Sequence, residues 1–281
     1  MISPANSKND ASNSLAHVRL GAVSYLNSRP LVYQLAEQLP GSTVTLDYPS
    51  RLADALAKRK LDVALIPSIE YFRSNDYEIL SNACVAARGP VMSVKLFCRV
   101  HPGEIRTVAL DEGSRTSATL AKIVLAEKYG VHPKTESLSL ASSTQHSQAD
   151  AVLLIGDRAM HDPDEPFVEV MDLGQIWNDW TGLPFVFAMW VAQKNANTTG
   201  IANVLEQTRD LGVSHLHEIA AAEANNLNLA VPVAENYLRN NLYYTMTSAE
   251  RAGLHLFHQL ALEHQLVNRH VSPVFTDLVT A

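Results

Sequence analysis

The segment from residue 18 to 66 constrains the fold most, because strand-like and helix-like patterns alternate in it without interruption. Val18, Leu20, Ala22 and Val23 form a first apolar run. Leu31, Leu35 and Leu39 then recur at helical spacing until Pro40-Gly41 stops them. Residues 43–48 alternate as a strand does, residues 51–58 repeat as a helix, and residues 61–66 form a third apolar run broken only by Asp62. A strand–helix–strand–helix–strand order predicts a parallel sheet. In open parallel sheets, ligands bind beyond the carboxyl ends of the strands. Two of these ends are polar turns that open into helices: Ser24-Tyr25-Leu26-Asn27-Ser28 ahead of Pro30, and Pro67-Ser68. Asn27 and Ser28 suit a helix cap, and Pro30 suits a first helical turn, where no N–H partner is lost. The free N–H groups of such a turn also favour an anion. Ser24, Asn27 and Ser68 are therefore candidate ligand contacts, with plain capping as the competing reading.

Two long strand-like runs follow, residues 77–86 and 91–100, and Ser93 interrupts the second. His101-Pro102-Gly103 predicts a hinge. A second α/β unit then starts with a strand over residues 107–110. The turn Asp111-Glu112-Gly113-Ser114-Arg115-Thr116-Ser117 leads from it into a helix over residues 118–129. Ser114, Thr116 and Ser117 place three hydroxyls beside free helix N–H groups, a cradle suited to a carboxylate or phosphate. Residues 137–148 predict a loop, and residues 151–155, 167–171 and 184–191 predict strands. Helices occupy the remainder, to about residue 225, over 232–244 and over 248–266. The expected organisation is an α/β protein of two lobes joined by crossing strands. A tail spans residues 1–16, the first lobe 17–100 and the second 101–192. Helices of residues 193–281 return to the first lobe. A cleft between such lobes is a common ligand site.

The totals narrow the partners. A formal net charge of -7 over 281 residues argues against nucleic acid but not against a small anion, which needs only local donors. No apolar run approaches the roughly 18 residues of a membrane span. Residues 1–16 are polar and lack a signal-peptide core, which predicts a cytoplasmic protein. Cys84 and Cys98 fall in apolar runs and are expected as buried free thiols. His255 and His258 lie three apart without a third ligand at a telling spacing, so no metal is expected. No phosphate-binding glycine loop is present, and no cofactor is expected. Arg29, Arg51, Arg88 and Arg115 lie near predicted strand ends, but a surface Arg is more often solvated than functional.

Five motifs in order carry a resemblance. They are V-S-Y-L-N-S-R-P-L from Val23, L-D-V-A-L-I-P-S-I-E-Y from Leu61, G-P-V-M-S-V-K-L from Gly89, S-R-T-S-A-T-L from Ser114 and L-L-I-G-D-R-A-M from Leu153. This series resembles the chorismate dehydratases of the futalosine route to menaquinone, from Val18 to near the chain end. The resemblance implies a fold similar to type II periplasmic solute-binding proteins, with a ligand cleft between the lobes. It implies loss of water from chorismate to give 3-[(1-carboxyvinyl)oxy]benzoate, without cofactor or metal. No His or Lys stands in any motif as a base, and the resemblance suggests the substrate's own enolpyruvyl carboxylate instead. The implied roles are a polar contact from Asn27 at the reacting bond, and carboxylate or ring contacts from Ser24, Ser68, Ser93, Ser114, Thr116 and Ser117. Two alternatives stand beside this: a non-catalytic binding protein for a small anionic solute, and the sister 1,4-dihydroxy-6-naphthoate synthase. The sister enzyme typically opens with a Pro-Cys-Pro-Asn-Asp-like turn, where this chain has Tyr25-Leu26-Asn27, and carries a His-Glu pair where this chain has Gly156-Asp157-Arg158. Oligomeric state is not written in the sequence.

Overall fold

The computed structural model describes residues 15–268 and contains two mixed sheets. The first sheet begins with β1 (Arg19–Val23), a 3-10 turn (Leu26–Leu31), α1 (Leu35–Gln38), β2 (Thr43–Asp47), α2 (Pro49–Ala57), β3 (Val63–Pro67), α3 (Ser68–Tyr71) and β4 (Tyr77–Ala87). The chain then crosses to the second sheet, formed by β5 (Val94–Cys98), β6 (Thr107–Asp111), α4 (Arg115–Tyr129), β7 (Lys134–Leu138), β8 (Ala151–Ile155), β9 (Glu169–Asp172) and α5 (Leu173–Thr181). It returns as β10 (Phe185–Gln193), followed by α6 (Ile201–Ser214), α7 (Leu216–Glu223), α8 (Val231–Asn236), β11 (Tyr243–Thr245) and α9 (Ser248–Glu263).

Both sheets follow one rule. β2, β1 and β3 are parallel, as the alternation predicts, and so are β7, β6 and β8. In each sheet a strand from the far side of a crossing then pairs antiparallel with the third parallel strand: β10 with β3, and β5 with β8. The two crossings are residues 88–93 and 182–184. The expected boundaries after residues 100 and 192 therefore misplace β5 and β10, each of which belongs to the other lobe. His101-Pro102-Gly103 is not a hinge but enters a short 3-10 turn (Pro102–Glu104) inside the second lobe. Of the expected tail, residues 1–14 lie outside the described residues. Ala16 is buried, and its N–H donates to the Thr199 carbonyl at 3.2 Å.

Burial explains the elements. Every residue of β3, β8 and β10 is buried, so these strands read as continuous apolar runs rather than alternating ones. Beside the second crossing, Trp177 of α5 packs edge-on against Phe185 of β10, with ring centroids 5.1 Å apart, and its indole N–H donates to the Pro184 carbonyl at 3.1 Å. Phe257 of α9 packs on Phe185 at 4.9 Å, which ties a C-terminal helix to the first lobe. Trp177 and Trp190 are fully buried core residues. No described helix is long and apolar enough to cross a membrane.

α6 lies directly on the opening turn. A Cβ added to Gly212 would come within 2.0 Å of the Pro30 carbonyl oxygen. In an exposed helix, Gly→Ala gains about 1 kcal/mol. Here the contact is backbone on backbone and cannot be relieved by a side-chain rotation. Gly212→Ala should therefore destabilise the protein by roughly 1–3 kcal/mol, read as a lower denaturant midpoint.

Candidate active site

Between the lobes, at the carboxyl ends of β1, β3, β6 and β8, lies a narrow cleft. Asn27 and Tyr25 enter it from the first lobe, Ser114, Thr116 and Ser117 from the second, and Ser93 from the crossing.

The opening turn divides its polar groups between structure and site. The buried Ser28 hydroxyl bonds the carbonyls of Val23 at 2.5 Å and Tyr25 at 3.0 Å and is consumed by the turn. The Asn27 amide oxygen and the Tyr25 hydroxyl line the same cleft and are buried without a hydrogen-bond partner. Such groups are costly unless a ligand or water satisfies them. Burial pushes the Tyr25 phenol above its usual pKa, so it remains a donor at neutral pH. Its ring occupies the space over Gly156, which has φ +66; a Cβ there would lie 2.6 Å from the ring. Ser24 is not in the cleft wall; its N–H donates to the Asp47 carbonyl at 3.1 Å and continues the β1–β2 ladder.

In the second lobe, Asp111 shapes the hydroxyl-rich turn. Its carboxylate accepts the Gly113 N–H at 2.8 Å and the Ile155 N–H at 3.2 Å, and pairs with Arg158. Ser114 caps α4, accepting the Ser117 N–H at 3.2 Å. Thr116 accepts the Ile69 N–H of the first lobe at 3.2 Å, which leaves its own hydrogen to donate. Ser68 lies 3.4 Å from Thr116 Oγ1, but its hydroxyl donates to the Val186 carbonyl at 2.7 Å, and Ser68 does not line the cleft. Ser24 and Ser68 thus stand outside the residues that line the cleft, and the Ser68 hydroxyl is engaged within the first lobe.

The crossing places Ser93. Met92 has φ +61, an uncommon backbone conformation for a side-chain-bearing residue. The Asp172 carboxylate accepts the N–H groups of Val91 at 3.0 Å and Met92 at 2.7 Å, and that of Gln175 at 3.0 Å. Ser93 O accepts the Gly156 N–H at 2.9 Å, and Ser93 Oγ accepts the Tyr237 hydroxyl at 2.7 Å. Tyr25 and Tyr237 have no assigned role in the sequence reading, which places Asp172 only as the cap of α5. Tyr25 lies inside the opening motif, whereas the C-terminal Tyr237 offers no local signal.

No Lys, Arg or His appears among the cleft-lining residues. The candidate arginines are engaged elsewhere. Arg29 pairs with Glu223 at 3.0 Å, Arg88 with Glu250 at 2.7 Å and Arg51 with Asp47 at 3.5 Å. Arg115 bridges the lobes to Asp54 at 2.7 Å and Glu70 at 3.1 Å. Among the described residues, no group of three or more His, Cys, Asp or Glu could hold a metal ion.

Asp157 also bridges the lobes, accepting the Leu26 N–H at 3.0 Å. Burial raises its carboxyl to about 6, against an opposing contribution from that hydrogen bond. The folded state therefore binds this proton more readily than the unfolded chain does. The associated stability is fully present below pH 3.8 and is lost as pH rises through about 6. Asp157→Asn keeps an acceptor for Leu26 without the charge. Its stability relative to the unsubstituted protein should rise between pH 4 and 7 by on the order of 1–3 kcal/mol, read from denaturant midpoints across that range.

The comparisons with known proteins agree with this arrangement. A family described as menaquinone biosynthesis matches residues 18–263. The chorismate dehydratase of Thermus thermophilus is 33% identical over 260 residues, covering 85% of this chain and 93% of that protein. That of Campylobacter jejuni is 27% identical over 248 residues, covering 84% and 94%. Among solved structures, an Archaeoglobus fulgidus protein matches with a TM-score of 0.73 at 14% identity, covering 89% of this chain and 98% of that one. The periplasmic aliphatic sulphonate binding protein of Escherichia coli matches with a TM-score of 0.60 at 18% identity, covering 93% and 94%. At these identities the structural likeness shows the fold, which is that of the periplasmic binding proteins.

Proposed function

The chain belongs to the menaquinone-biosynthesis family, and on that premise we propose that it is a chorismate dehydratase, a hydro-lyase forming 3-[(1-carboxyvinyl)oxy]benzoate. In this reaction the bonding pair of the ring C3–H becomes the new C3–C4 π bond. The C4 hydroxyl leaves, takes up the proton removed from C3 and departs as water. Aromatisation drives the step, so the protein has only a barrier to lower.

The observation that carries the site assignment is the buried, unpartnered Asn27 amide oxygen in a cleft whose opposite wall is the start of α4. That oxygen can only accept, and it suits the O–H of the substrate's C4 hydroxyl. The N-terminus of α4, with Ser114, Thr116 and Ser117, suits a carboxylate. Ser93 and the Tyr25 phenol supply further donors. With no basic side chain in the wall, the enolpyruvyl carboxylate itself takes the C3 proton. Holding it over that proton is catalysis by positioning, worth up to about 7–11 kcal/mol in favourable intramolecular cases. A biosynthetic substrate of this kind supports a cytoplasmic location.

The purified protein, given chorismate without added metal or nucleotide, should release the aromatic enolpyruvyl ether, followed by ultraviolet absorbance and NMR. Tight binding without conversion would instead identify a solute-binding protein. Asn27→Leu should lower turnover roughly 100-fold or more. Unchanged turnover in that variant would remove Asn27 from the reaction.

A further inference from the structure

The Tyr237 phenol is fully buried, and it comes from a part of the chain far from every motif of the cleft. α8 runs directly into a wide π turn, Tyr237–Asn241, a feature common where a helix serves a site. Both ends of this turn grip the first crossing: Tyr237 donates to Ser93 Oγ at 2.7 Å, and Asn241 Nδ2 donates to the Pro90 carbonyl at 2.8 Å. Burial keeps the phenol protonated, so it acts as a donor at any physiological pH. The Asn27 amide oxygen, on the same cleft wall as Ser93, has no partner.

We propose that Tyr237 is a positioning residue of the dehydration, setting the hydrogen-bond polarity of Ser93 in the cleft. Its hydroxyl hydrogen occupies a lone pair of Ser93 Oγ, so the Ser93 hydrogen is turned toward the substrate. One buried phenol thereby makes Ser93 a donor beside the unpartnered Asn27 carbonyl oxygen. A chain of hydrogen bonds of this kind also strengthens its terminal donor. The ligand this fits carries an acceptor and a donor side by side, as a carboxylate next to a hydroxyl does. The inference rests on the dehydratase reading and deepens it.

The test uses the full chain with chorismate. Tyr237→Phe keeps the ring and removes the hydroxyl. It should fold with a near-native Tm, lower kcat roughly 10- to 100-fold, as loss of outer hydrogen-bond partners does elsewhere, and leave KM close to that of the unsubstituted protein. Ser93→Ala combined with Tyr237→Phe should be no slower than Ser93→Ala alone, because Tyr237 acts through Ser93. 3-Fluorotyrosine at position 237 retains a donor and should keep turnover near the original rate. Unchanged kcat in Tyr237→Phe, additive losses in the double variant, or a loss with fluorotyrosine as large as that with phenylalanine would each overturn the proposal. Failure of the unsubstituted protein to convert chorismate would overturn the dehydratase reading itself.

Discussion

The carboxylate of Asp172 holds the point on which the molecule turns. The chain leaves one sheet at Ala87 and enters the other at Val94. Within those few residues it must reverse its surroundings and aim one side chain into the cleft. Met92 in the left-handed region is the cost of that change, on the order of 1–3 kcal/mol. Two N–H groups donated to one carboxylate, at 3.0 and 2.7 Å, offset it, since a hydrogen bond to a charged group contributes about 1.5–3 kcal/mol. Asp172 also caps α5 through the Gln175 N–H, so the crossing and the helix beneath it are fixed together. Ser93 is the next residue after this clamp. Its orientation is inherited from backbone that has little freedom left.

The lobes meet through two kinds of contact, and the difference bears on how a ligand enters. At the second crossing the contact is apolar and aromatic, Trp177 against Phe185. Across the mouth it is polar: Leu26 N–H to Asp157, Ile69 N–H to Thr116, and Arg115 to Asp54 and Glu70. Polar contacts exchange for water at a net cost of only about 0.5–1.5 kcal/mol each, and exposed ion pairs at less. Opening the mouth is therefore inexpensive, while parting the crossing is not. The polar contacts at the mouth are thus the weaker of the two sets that join the lobes.

What the sequence carried was the pattern of burial, and what it lacked was the direction of side chains. β8 was legible to the residue, because Ala151–Ile155 is buried on both faces and flanked by polar turns. β7 was read as loop or left unassigned, because Lys134–Leu138 is an edge strand with four exposed residues and no apolar alternation. β11 has three residues and was absorbed into a helical segment that in fact ends in the π turn. The lobe of β5 and β10 could not be read, because an antiparallel strand entering from the other lobe has the same apolar run as one that stays. In the site, Asn27, Ser93, Ser114, Thr116 and Ser117 do line one cleft, since strand ends and a helix start determine position. Ser24 and Ser68 lie outside that wall, and the Ser68 hydroxyl goes to the Val186 carbonyl, a partner no local pattern announces. Tyr237 was invisible for a related reason: only the packed fold brings residue 237 to residue 93.

The cleft wall offers hydroxyls and N–H groups rather than cations, and the chemistry of the proposed reaction favours that choice. A guanidinium against the substrate's carboxylate would hold it tightly but would also lower its pKa strongly. In the proposed reaction that carboxylate must accept a proton from carbon, so its basicity has to survive binding. Neutral donors lower it less than a full opposite charge does, and they retain direction. The arginines near the strand ends are occupied by Glu223, Glu250, Asp54, Glu70 and Asp111. A cation set against the substrate would raise affinity for a dianion while slowing the proton transfer, a separation of binding from turnover that a cationic grip imposes and a hydroxyl cradle avoids.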